Sequence, residues 1–185
     1  MVNPSTHSLV TLKDKVYLIQ RLPMENFRKG GTAPTETVRG GVAGFLFDAD
    51  GEIIYIQFCV PKDWDGESDI TLVLHCVLNA VETADDDIDW ETSTISVADH
   101  EDVDTAGTQT PGASHDIGAF TAAGTLHLVE ITLDYDDGTC PISANDNISI
   151  TLSRTANVGG AGYVDGVLLI DACIRYQADK FGDPV

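Results

Sequence analysis

The chain has 185 residues, 43% of them hydrophobic, and 30 Asp and Glu against 10 Lys and Arg give it a net charge of −20. That length and composition suit one globular domain with its own core and exclude a disordered chain. The negative field repels phosphate backbones and anionic lipid, so neither nucleic acid nor membrane is an expected partner. No apolar run approaches the ~20 residues of a spanning helix, and no basic-then-apolar leader opens the chain. Three readings of the charge stay open: solubility, a salt-rich medium in which carboxylates hold hydrated cations, and a basic partner surface.

Residues 1–39 read as an N-terminal arm and 40–185 as the folded domain. The arm has one apolar run, Val16–Ile19, among the breakers Pro4, Pro23, Gly30, Gly31 and Pro34. It also carries Lys13, Lys15, Arg21, Arg28 and Lys29, with Arg39 at its end, and a basic arm can reach a neighbouring acidic subunit. Val42–Phe47 is a short apolar strand, and the Asp-Gly of Asp48–Gly51 suits a hairpin. Glu52–Val60 is the next strand, and Pro61–Ser68 is a loop. In Ile70–Leu78, Ile70, Leu72, Leu74, Cys76 and Leu78 share one face and Thr71, Val73, His75 and Val77 the other. Both faces are apolar enough for a central or doubly covered strand.

Thr83–Asp89 is an acidic turn, and Ile88–Ala98 alternates as a strand with Trp90 in the core. Asp99–Gly124 is long, polar and rich in Thr, Ala, Gly and Asp, and reads as a functional or interface loop. Thr125–Asp134, Asn147–Arg154 and Tyr163–Tyr176 complete the strands, joined by the turn-rich stretches Tyr135–Ala144 and Thr155–Gly162. No stretch has a sustained helical period. The expected fold is all-β: an antiparallel β-sandwich of jelly-roll type with about eight to ten strands and an extended N-terminal arm.

The chemistry-bearing residue types are scattered. Cys59, Cys76, Cys140 and Cys173 form no C-x-x-C pair, so no zinc or redox motif is indicated. Cys59, Cys76 and Cys173 sit in apolar strands as small hydrophobes; Cys59 and Cys76 flank one turn, and reduced thiols are favoured over a disulfide between them. His7, His75, His100, His115 and His127 have no metal-ligand spacing, and His75 and His127 read as partly buried strand residues. Carboxylates cluster at Asp63–Asp69, Asp85–Asp89 and Asp134–Asp137, where calcium is one reading and solvated turns the favoured one. A glycosidase pair is disfavoured because these acids lie in separate turns. Gly159-Gly160-Ala161-Gly162 precedes a strand rather than a helix, so it presents no helix N-terminus to a phosphate. No catalytic residue, cofactor site or metal site is assigned. Trp64, in a turn, and Tyr55 are the first residues to test for sugar stacking.

The segments Phe58–Gly66, Asp69–Leu78, Ile88–Trp90, Asp146–Arg154 and Leu168–Tyr176 together resemble single jelly-roll virion proteins of tailed phages, the head-decoration proteins and related fibre domains. The shared order is a strand ending in a Pro-x-x-aromatic-Asp turn, an aliphatic alternating strand, a strand carrying Trp, a strand ending in Arg, and a closing aliphatic strand ending in an aromatic. The resemblance covers about three quarters of the chain and leaves out Met1–Arg39. It implies a non-enzymatic decoration or cement protein on the capsid surface, partnered by the major capsid protein and by itself as a homotrimer. The absence of a repetitive shaft or capsid-anchoring segment favours the head over a fibre. The alternatives are a carbohydrate- or receptor-binding sandwich module of a fibre or tail, and a jelly-roll capsid subunit.

Overall fold

The computed structural model describes residues 16–49, 51–154, 162–163 and 165–178. Among them are strands β1 (Val16–Leu22), β2 (Arg28–Lys29), β3 (Thr35–Arg39), β4 (Val42–Phe47), β5 (Ile53–Cys59) and β6 (Ile70–Leu78). They continue as β7 (Asp87–Val97), β8 (Thr108–Gln109), β9 (Gly112–Asp116), β10 (Leu126–Leu133), β11 (Asn147–Arg154) and β12 (Val167–Ala178). Two antiparallel sheets form a sandwich. One runs β10-β6-β12-β4-β3 with β1 beside β12; the other runs β2-β5-β11-β7-β8 with β9 beside β7.

Period-2 patterning builds the core. The inner face of β6 (Ile70, Leu72, Leu74, Cys76, Leu78) is fully buried, as is that of β11 at Ile150 and Leu152. Trp90 of β7 meets Phe47 of β4 edge-to-face at 4.9 Å, joining the two sheets. β12 is the organising strand of its sheet. A bulge between Leu169 and Asp171 marks where its partner changes: Val167–Leu169 pair with β4, and Ala172–Ala178 pair with β1. Close backbone approach fixes two glycines. A Cβ on Gly44 would lie 2.4 Å from the Leu169 carbonyl oxygen, and one on Gly107 would lie 1.3 Å from that of Thr139.

Two sequence-based expectations need correction. Val16–Arg39 is not an arm: β1 pairs with β12 over its whole length, and Leu22 and Phe27 belong to the buried core. Its Pro and Gly residues separate short strands instead of loosening the segment. The rest of the expected arm, 1–15, lies outside the described residues. Asp99–Gly124 is not one loop either, since β8 and β9 within it extend the second sheet along β7. Buried Gln109 anchors that stretch: its amide nitrogen donates to the carbonyls of Asp134 (3.1 Å) and Cys140 (3.2 Å), and its oxygen accepts from Asp134 N–H. Most of the expected turn at Thr155–Gly162 lies outside the described residues.

Candidate functional site

The aromatic residues singled out from sequence are placed differently from expectation. Trp64 is only 5% exposed; its indole N–H donates to the Ser68 carbonyl at 3.0 Å, so it is a packing residue and no sugar platform. Tyr55 is 38% exposed, on the outer face of β5 between Arg28 and Thr151.

A polar trough of about 400 Å3 lies on the outer face of the first sheet. Register builds its floor: Arg175 of β12, Thr71 of β6 and Thr132 of β10 stand side by side, and Gln177 faces Tyr17 of β1. The Pro61–Ser68 loop and Asp69 form one lip, and Tyr135 closes the end of β10. This lip is held firmly. Asp65 N–H donates to the Gln177 carbonyl (2.9 Å), Asp65 accepts from the Ser68 hydroxyl (2.7 Å), and Trp64 packs edge-on to Tyr135 at 6.4 Å. Below them Tyr176 donates to Asp63 at 3.1 Å; burial, then that carboxylate, raises its phenol above the usual range.

Two tyrosines and fixed polar groups therefore share one concavity. Tyr17 is 62% exposed, and its hydroxyl accepts a 2.7 Å hydrogen bond from Gln177. Arg175 donates through both terminal nitrogens to Glu130 at 2.8 and 2.7 Å. That bidentate bond holds the Glu130 carboxyl below, and the guanidinium above, their ordinary values. Glu67 and Asp69 leave the lip acidic. A second groove, of about 550 Å3, runs between the Met24–Asn26 turn and β3–β4. Phe27 and Phe45 in its wall are buried and give no open aromatic face.

The other chemistry-bearing groups are engaged elsewhere. Cys59 points outward from β5 while Cys76 is buried in the opposite sheet, so the two do not pair, and Cys59 is not the buried hydrophobe expected. Cys173 lies 4.0 Å from His75 Nε2, but burial raises its thiol pKa and disfavours the thiolate a nucleophile needs. Carboxylates in the acidic turns cap their own backbones: Asp137 accepts from Thr139 and Cys140 N–H. Asp136 is raised by its hydrogen bond with Asp134. Among the described residues no cluster of three or more His, Cys, Asp or Glu is arranged to hold a metal ion.

His115, expected in a loop, sits on β9, with its Nε2 3.3 Å from Nδ1 of His127 on β10; this contact bridges the sheets. Burial, then His115, depresses the His127 pKa. The sign follows. The unfolded chain takes up a proton near pH ~6.5, ahead of the folded chain, so stability is complete above that pH and falls as pH drops through it. The thermal midpoint should therefore decline between pH 7.5 and 5.5, and His127→Phe should flatten that slope. An unchanged slope in the variant would assign the pH dependence to other groups.

No protein-family model matches the chain, and no curated protein does. Solved structures with a similar course include the xylan-binding module CBM15, at 15% identity and TM-score 0.49, covering 87% of this chain and 97% of that one. A family 29 carbohydrate-binding module from Piromyces equi matches at 8% identity and TM-score 0.37, covering 88% and 89%. A non-crystalline cellulose-specific module, CBM28, matches at 11% and 0.36, covering 83% and 86%. At these identities and scores none of the three identifies a ligand for this chain. Tyr17, Tyr135 and Arg175 were missed as site residues in the sequence. The available signal was the polar series Asp171, Arg175 and Gln177 at alternate positions of the closing strand.

Proposed function

We propose that this chain is a non-catalytic binding module whose trough takes a glycan. The observation that carries the reading is the pairing of an exposed, hydrogen-bonded Tyr17 with Tyr135 across a floor of fixed polar side chains. A sugar has an apolar ring face and a polar rim, and a tyrosine beside hydrogen-bonding groups complements both. Tyr17→Ala should weaken binding to the best glycan found on an array by roughly tenfold, the size of an aromatic contact of about 1.4 kcal/mol, with the thermal midpoint held within a few degrees. Absence of any glycan hit, or a Tyr17→Ala variant that binds as well as the parent, would remove the reading.

A second reading is a capsid-surface protein that binds a major capsid protein, as the motif resemblance implies. The observation favouring it is the exposed apolar end of the first sheet's outer face, at Leu126 and Leu128. Co-sedimentation with empty heads is its test, and a protein that stays wholly in the supernatant counts against it.

A further inference from the structure

Among the described residues, Arg175 is the one cation that lines the trough, and its charge is already answered. Both terminal nitrogens donate to Glu130, at 2.8 and 2.7 Å, in the planar fork that suits a carboxylate. Register brings the two together. Arg175 of β12 stands opposite Thr71 of β6, and Glu130 of β10 stands opposite Val73, one outward row further on, so the bond crosses β6 diagonally. Glu130 itself does not line the trough. The two side chains are 36% and 50% exposed, and an ion pair that open to water adds little to stability. Its consequences are local: it fixes the guanidinium in one orientation and cancels its charge.

The rest of the rim is negative. Glu67 and Asp69 belong to the lip, and Asp134 and Asp136 flank Tyr135 in the chain. These acids act on one another: the hydrogen bond with Asp134 raises the Asp136 carboxyl, and the charge of Asp69 pushes in the same direction. Among the described residues no Lys, Arg or His forms an ion pair with any of the four. Lys62 stands in the lip loop but does not line the trough.

We infer that the trough takes an uncharged glycan and that Glu130 is the residue that keeps acid-bearing glycans out. The inference rests on the glycan reading and names its substrate class. A uronate or sialate carboxylate brought between Glu67, Asp69 and an arginine already bonded to Glu130 meets repulsion without a free cation, and the field of a chain of net charge −20 opposes its approach. A sugar hydroxyl meets no such cost. The Arg175 N–H groups not turned to Glu130, with the hydroxyls of Thr71 and Thr132, remain to bond its oxygens. Glu130 is thus a positioning residue: it acts on the ligand through Arg175.

The test is affinity, by calorimetry on the full chain, for oligosaccharides of glucose, mannose and galactose, each beside its C6-oxidised uronate. The parent should bind at least one neutral oligomer fivefold or more tightly than its uronate, and added salt should narrow that gap by screening the repulsion. Glu130→Gln leaves Arg175 able to take a ligand carboxylate as a fork. It should raise the uronate-to-neutral affinity ratio about fivefold, the size of one unit charge acting through water at close range. The ratio cancels any loss that both oligomers share when the arginine is held less firmly. Glu130→Asp keeps the charge and should keep the parental ratio. A parent that binds a uronate as tightly as its neutral twin, or a Glu130→Gln ratio equal to the parent's, overturns the inference and leaves the glycan reading standing. A protein that takes no oligomer of either series overturns both.

Discussion

Arg154→Met should cost the fold about 3–5 kcal/mol, the range for disrupting a buried charged network. Arg154 ends β11 with its side chain turned into the sandwich, 6% exposed. Its guanidinium donates to the Phe47 carbonyl at 3.2 Å and the Asp165 carbonyl at 2.6 Å, and also to that of Tyr163. Three backbone carbonyls are thus tied to one side chain, which also lies 5.6 Å from the Tyr163 ring centre. Tyr163 in turn bonds both the N–H and the carbonyl of Ala80 through its hydroxyl. Methionine fills much of the volume but leaves those carbonyls unpaired in a desolvated place. In a domain of this size the loss corresponds to a fall in thermal midpoint of roughly 10 °C or more. Arg154→Lys should recover only part of it, because an ammonium cannot spread its donors as the planar fork does. A midpoint within about 2 °C of the parent in Arg154→Met would show that the carbonyls are satisfied without the guanidinium.

The strands with strict alternation were legible in the sequence. Ile70–Leu78 has the expected inner and outer faces residue for residue, and Trp90 is in the core as its position in an alternating strand implied. What failed was reading punctuation as looseness. Val16–Leu22 looks like an isolated apolar run because its outward residues, Tyr17 and Ile19, are apolar too, and its pairing partner lies about 150 residues away in β12. β8 and β9 are too short to carry a period of their own and exist because β7 is long enough to pair with both. The trough was illegible for the same reason. Tyr17, Asp69, Tyr135 and Arg175 are spread over most of the chain and meet only through long-range register. Trp64 was misjudged as a candidate platform because a turn residue's burial is set by what packs on the turn. Here it is the end of β12, which Trp64 meets through a bridge to Ala178.

That misjudged tryptophan gives the other large expected effect. Trp64→Ala removes a large buried side chain and its hydrogen bond to Ser68, and should destabilise the protein by about 3–5 kcal/mol. Under the proposed glycan reading it should also abolish binding at the trough, since the lip loses the contact with Tyr135 and the anchor at Ser68. Trp64→Phe separates the two consequences. The ring remains, the indole N–H is gone, and the cost should fall to about 1–2 kcal/mol. The variant should stay folded at 25 °C while the Ser68–Asp69 lip loses its fixed position and affinity drops severalfold. Measured together, the thermal midpoint and the glycan affinity decide whether the loop orders the site or only seals the core. A folded Trp64→Phe protein with parental affinity would mean the lip is held by the Asp65 bonds to Ser68 and Gln177 alone. A Trp64→Ala protein with a parental midpoint would mean that the indole contributes nothing to the core it touches.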